Sequence, residues 1–272
     1  MEEKTSGEMT FLEHLEELRW HIIRSVLAIT VFAIVAFIFK RVLFDVILLG
    51  PSHPEFWTNR MLCKLGGLVD VPKLCINSVP LSLQNVVVSG QFVAHMKIAL
   101  ISGLVLGFPY IIWELWRFVS PALYSKERKY AQGSVFFITL LFVLGVLFGY
   151  YLIAPLSVNF LVSYQVSETV KNIPTLGSYV GLIAALTLAS GLLFELPMLV
   201  YFLSKIGMVT PEFLKSYRKH SIVVILLVAG IITPPDIFSQ IMVSIPLLLL
   251  YEISIGISRR VNKKRNTDIV PV

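Results

Sequence analysis

"SYVGLIAALTLASGLLFELPMLVYFLS", Ser178–Ser204, carries a single charge, Glu195, in an otherwise apolar run. About 20 apolar residues in a helix cross a hydrocarbon core of about 30 Å. The stretch therefore reads as a membrane span with an acid near its middle and a helix breaker, Pro197, two residues later. A charged acid at that depth costs several kcal/mol, so Glu195 should face protein or water rather than lipid. Ala184, Thr187, Gly191 and Glu195 recur at helical spacing and make a mostly small or polar stripe. Pro197 removes the donor that would bond the Leu193 carbonyl, which predicts a bend there.

Similar blocks occur elsewhere. The chain has 272 residues, of which 56% are hydrophobic and 15% charged, and its mean hydropathy is +0.79. A soluble domain of this length would hold nearer a quarter charged residues. The spans read as 22–39, 98–113, 134–154, 178–204, 221–232 and 237–257. The fifth, "SIVVILLVAGII", has twelve residues, which is about 18 Å of helix. It meets "TPPD", and the sixth block is interrupted by Pro246 and Glu252, so the last two helices read as a short, shallow hairpin. Nineteen largely polar residues precede the first block, and Lys40-Arg41 follows it where a cleavage site would belong, so the first span is expected to be kept.

Charge orients these spans. Six crossings put both termini on one side. With the termini inside, the inside segments hold Lys4, Arg19, Arg24, Arg117, Lys126, Arg128, Lys129, Lys205, Lys215, Arg218, Lys219, Arg259, Arg260, Lys263, Lys264 and Arg265. That is 16 of the 23 cations, which predicts cytoplasmic termini. The net charge of +6 does not point to nucleic acid, because the cations flank apolar blocks instead of forming one basic face. Cys63 and Cys75 fall in the long outside loop, about 40–90, where a disulfide would persist; they read either as that bridge or as two free thiols.

Chemistry-bearing motifs are few. No Walker A, zinc-protease or nucleophile-elbow pattern occurs, and the five histidines are scattered, so neither an enzyme nor a metal or cofactor site is expected. "TFLEHLEELRWHIIR", Thr10–Arg24, opens with a capping box, Thr10 with Glu13, and sets Glu13 and Glu17 one turn apart. Glu16–Arg19 and Glu17–His21 are its local pairing options. Ser120 and Pro121 read as the start of a third helix running to Ala154, with Glu127 on its first turns and Glu114 just before the loop. Trp113, Trp116, Phe118 and Tyr124 read as an interfacial aromatic belt around solvated charges. Thr210 and Pro211 repeat the capping device, and Asp236 is a candidate cap of the last helix. Gly103-x-x-x-Gly107 and Gly145-x-x-x-Gly149 would allow close helix approach.

"FLEHLEELR", "FPYIIWELWRFVSPALYSKER", "FELP", "KIGMVTPEFLKSYRK", "TPPDIFSQ" and "PLLLLYE" together resemble the TatC family, the polytopic core of the twin-arginine (Sec-independent) protein translocase. The resemblance covers almost the whole chain in order; the 40–90 loop looks longer than usual for the family. It implies an all-α integral membrane protein, one domain over residues 1–272, with six transmembrane helices in a concave, glove-like bundle. It also implies a receptor for folded cargo whose signal peptides carry adjacent arginines, with transport driven by the proton-motive force. The implied partners are A-type and B-type single-span subunits, signal peptides, membrane lipid and further copies of the chain, in a bacterial inner membrane. By motif position the signal-binding residues would be Glu17, Arg19, Phe118 and Glu127. Glu195 would be the polar intramembrane residue of the fourth helix, which reads either as a docking point for a partner's span or as an acid that hydrogen-bonds a neighbouring helix for packing. Pro109, Glu114, Pro121, Tyr124 and Asp236 are motif residues to which the resemblance assigns no separate role. Two guanidinium groups suit two carboxylates in bidentate geometry, and a shielded pocket is needed because exposed pairs are worth only about 0.2–1 kcal/mol each. The rival readings are a proton-coupled solute transporter using Glu195 and an intramembrane enzyme.

Overall fold

A computed structural model describes residues 11–70, 75–76, 81–119, 128–167, 169, 172–233 and 237–269. Among these the regular structure is helical throughout, apart from one isolated bridge between Gln84 and Thr175. The helices are α1 (Phe11–Ile38), α2 (Trp57–Val69), α3 (Gly90–Val119), α4 (Arg128–Phe148), α5 (Ala154–Ser163), α6 (Leu176–Leu193), α7 (Leu196–Lys205), α8 (Pro211–Ser216), α9 (Arg218–Ile232) and α10 (Ile237–Ile269). Five helical runs among the described residues are long and apolar enough to cross a membrane: His14–Ile38, Gly90–Phe118, Gly133–Ser163, Leu176–Lys205 and Gln240–Lys263. The predicted fifth span is α9, whose 15 residues fall below that length, as its sequence suggested.

Several boundaries differ from the sequence reading: the first span, read as 22–39, runs His14–Ile38, and the second, read as 98–113, runs Gly90–Phe118. The third span does not stop at Ala154; a π-helical turn, Gly149–Ile153, carries it into α5. Pro155 explains the turn: it has no N–H for the Tyr151 carbonyl one turn back. That carbonyl instead accepts from the Thr58 hydroxyl. The last helix is also not short, since α10 has 33 residues and runs through the basic tail. Arg259, Arg260 and Lys263 are good helix formers, which lets the helix continue past its apolar block.

Contacts divide the chain into two units. The first comprises α1, α3 from Ala99 onward and α4 up to Thr139. Its helices approach closely at Gly103, where a Cβ would lie 2.7 Å from both the Ile29 carbonyl oxygen and the Ala33 amide nitrogen. The outer face of α1 is a run of exposed apolar side chains, including Leu27, Ile34 and Ile38, which suits lipid.

The second unit holds residues 40–98 and everything from Leu140 on. The region 140–149 meets α6 through small residues: a Cβ on Gly145 would lie 2.6 Å from the Ser190 carbonyl oxygen, and one on Gly191 2.8 Å from the Phe142 ring. The 40–90 loop is ordered by a π-helical stretch, Val42–Leu48, a short 3₁₀ turn, Gly50–Ser52, and α2. Tyr150 donates to the Ile47 carbonyl (2.6 Å) and Tyr179 to that of Leu48 (2.9 Å). Cys63 and Cys75 are joined as a disulfide, and their neighbours Leu62 and Ile76 pack with Leu156 in one small core. Helices α7 and α10 are held by the Ser204–Ser258 hydroxyl bond (2.8 Å), and Tyr251 donates to the Leu214 carbonyl (2.8 Å).

Candidate functional site

The start of α1 carries His14, Glu17 and His21 three and four residues apart, so they share one face. Phe118, near the end of α3, stacks on that face: its ring lies 4.4 Å from His14, nearly parallel, and 6.0 Å edge-on from His21. Glu17 therefore stands between the two rings that Phe118 touches. Among the described residues no ion pair engages Glu17, which is half-buried. Arg19 is exposed and, at 100° per residue, lies well round the helix from this face. The structure brings Glu17 and Phe118 toward one face and leaves Arg19 off it. Glu127, Pro121, Tyr124 and Asp236 lie outside the described residues, as do Thr10, Ser120 and the side chain of Glu13.

Glu114 corrects the reading of a solvated charge before the loop. It is 1% exposed, the most enclosed acid among the described residues. Its Oε2 accepts from His21 Nδ1, and its Oε1 from the Tyr110 hydroxyl at 2.9 Å. Arg117 Nη1 stands 3.6 Å from Oε1 and Arg24 Nη1 3.9 Å from Oε2. His21, 7% exposed, is thus the partner of Glu114 and not of Glu17. Arg117 also lies over the Trp113 ring at 4.9 Å. A buried carboxylate needs both paired charge and filled lone pairs, and this one has them. The cluster ties α1 to α3 one turn below Phe118 and so fixes the face on which Glu17 sits. Sequence reasoning missed it: Tyr110 and Arg117 are legible as helical neighbours of Glu114, but His21 is 93 residues away.

Glu195 lies at the break between α6 and α7, where Phe194 and Glu195 leave the helical path before Pro197 restarts it. The predicted bend is present. Ala184 and Thr187 of the polar stripe are buried. Glu195 itself is partly exposed, yet its Oε1 is enclosed and has no hydrogen-bond partner. Pro109 sits inside α3, one residue before Tyr110. Among the described residues no group of three or more His, Cys, Asp or Glu side chains is gathered as metal ligands would be.

A family model described as Sec-independent protein translocase protein (TatC) matches residues 13–246. The chain belongs to the TatC family. It is a multi-pass membrane protein of a protein-transport family, and the solute-transporter reading finds no support. The TatC protein of Blattabacterium sp. subsp. Periplaneta americana (strain BPLAN) is 43% identical over 261 residues, covering 95% of this chain and 98% of that protein. TatCy of Bacillus subtilis (strain 168) is 34% identical over 95% of this chain and 92% of its own length. A crystal structure of the twin-arginine translocase receptor TatC superposes with a TM-score of 0.66 at 33% identity, covering 90% of this chain and 98% of that one. A second, in DDM, gives 0.69 at 32% identity, covering 91% and 100%.

Proposed function

We propose that this chain is the receptor core of a twin-arginine translocase, a recognition and assembly subunit and not an enzyme. It binds signal peptides of folded proteins on the cytoplasmic side of a bacterial inner membrane and nucleates a complex whose transport step uses the proton-motive force. The whole chain acts as one membrane domain, with α9 and α10 completing six crossings and both termini in the cytoplasm. Glu17 and Glu127 receive the two guanidinium groups, Phe118 packs beside them, and Arg19 orders the surrounding charges. The observation that carries the reading is Glu17, a carboxylate with no ion pair among the described residues, on the α1 face that stacks Phe118. Arginine's planar fork suits such a carboxylate better than lysine's point charge.

The test is capture of the purified chain by a twin-arginine signal peptide against a twin-lysine control. Glu17→Arg and Glu127→Arg should each cut capture by about tenfold, the scale of one charge-assisted hydrogen bond. Acidic substitutions in the signal should partly restore it. Equal capture by the two peptides would sink the assignment.

Glu195 offers the enclosed, unpartnered Oε1 to a polar residue on the span of an A-type or B-type partner. Glu195→Gln should keep crosslinking to that span, and Glu195→Leu should lose it while signal binding stays. Further copies of the chain assemble in the same complex.

A further inference from the structure

Lys40 and Arg41 follow the apolar end of α1, where a lipid-facing helix meets the membrane boundary. They line a cavity of about 400 Å³ together with Asp45, Gln91, His95 and Leu176. Gln91 and His95 lie in the first turns of α3, and Leu176 is the first residue of α6. Lys40 and Arg41 follow one apolar run, and Gln91, His95 and Leu176 open two others, so the cavity lies at the boundary positions of apolar helices, which suit the membrane interface. Among the described residues no salt bridge engages Lys40 or Arg41. The Phe44 ring meets His95 edge-on at 5.5 Å and fixes its place in the wall.

We infer that this cavity binds the headgroup of an anionic, hydroxyl-bearing phospholipid such as phosphatidylglycerol. Lys40 supplies a point charge and Arg41 a planar fork, both suited to phosphodiester oxygens. Gln91 and His95 add further hydrogen-bond donors, and the N-terminal end of α3 is the positive end of its dipole. Asp45 lowers the net charge of the wall to one excess cation, which matches a singly charged head. Its carboxylate accepts from glycerol hydroxyls beyond the phosphate. Phe92, in the cavity wall, and Met96 one turn on are both exposed and continue an apolar face along which an acyl chain lies. A free phosphate ion would leave that face unused. This site lies in the unit that lacks Glu17 and Phe118, and it stands or falls apart from the signal-peptide reading.

Native mass spectrometry of the full chain in neutral detergent, with phosphatidylglycerol or phosphatidylcholine added, tests the proposal. Wild type should retain phosphatidylglycerol over phosphatidylcholine, and Lys40→Gln and Arg41→Gln should each reduce retention by about fivefold, the effect of one cation near an anionic head. Lys40→Arg with Arg41→Lys keeps both charges and should keep the lipid, and unchanged circular dichroism in every variant excludes misfolding as the cause. Lys97→Gln, two residues from His95 and outside the cavity lining, should change nothing. Equal retention of the two lipids, or full retention in the double Gln variant, overturns the proposal. Displacement of phosphatidylglycerol by equimolar inorganic phosphate overturns its lipid part and leaves a site for a free anion.

Discussion

His21 and Glu114 show how burial changes what a charged side chain is worth. Removing one member of an enclosed pair strands the other, which costs about 3–5 kcal/mol, whereas replacing both with apolar residues is often close to neutral. His21→Leu should therefore lower the thermal midpoint in detergent far more than the double variant His21→Leu/Glu114→Leu. Equal losses in the two would mean that the pair is not the α1–α3 tie. Arg218 and Glu252 are the opposite case. Their ion pair is short, 2.7 Å, but both side chains are about half exposed. Such a pair is worth about 0–1 kcal/mol, so Glu252→Gln should leave the midpoint nearly unchanged.

At the scale of elements, packing turns on missing side chains and on prolines that release carbonyls. Gly145 has the Ser190 carbonyl 2.6 Å from where its Cβ would be, so even alanine pushes two backbones apart. Gly145→Ala should destabilise by about 1–3 kcal/mol, the usual cost of overpacking. Gly256 in α10 has open space around it, and Gly256→Ala should stabilise by about 0.5–1 kcal/mol through helix propensity. Denaturation followed by circular dichroism separates the two. The Thr58 bond to Tyr151 gives the π-helical turn its purpose: Pro155 strands a carbonyl in the helix, and the 40–90 loop supplies the donor.

At the largest scale, the 40–90 loop packs into the helices of the second unit. Leu62 and Ile76 meet Leu156 in one core beside the Cys63–Cys75 bridge, which ties the middle of α2 to the segment that follows it. Cys63→Ser/Cys75→Ser should cost about 3 kcal/mol in the chain-entropy account and should raise protease sensitivity within residues 40–90 while the long helices stay intact. The cation bias predicts that loop on the outer side. In intact cells an impermeant thiol reagent should label Cys75 only after reduction, and a reporter fused after Val272 should be cytoplasmic. A thiol that stays protected after reduction contradicts the orientation.

Features that depend on neighbours along the chain are legible in the amino-acid order alone. Apolar length marks the long helices, Pro197 the break beside Glu195, and Thr210 the cap that accepts from the Phe213 amide at 3.2 Å. The glycine pairs mark close approaches, and the family motifs mark the face built by Glu17 and Phe118. Each of these rests on helical periodicity or on what one residue does to the next turn of backbone. The His21–Glu114 tie, the tyrosine bonds to Ile47 and Leu48, the closing of the disulfide and the cavity beside Lys40 are decided only by the tertiary structure. Most of them join residues tens of positions apart, and whether two such polar groups meet depends on how helices rotate and slide as apolar and small side chains pack. Burial then makes the meeting obligatory, because an enclosed carboxylate or carbonyl left unpaired costs more than the packing around it can spare.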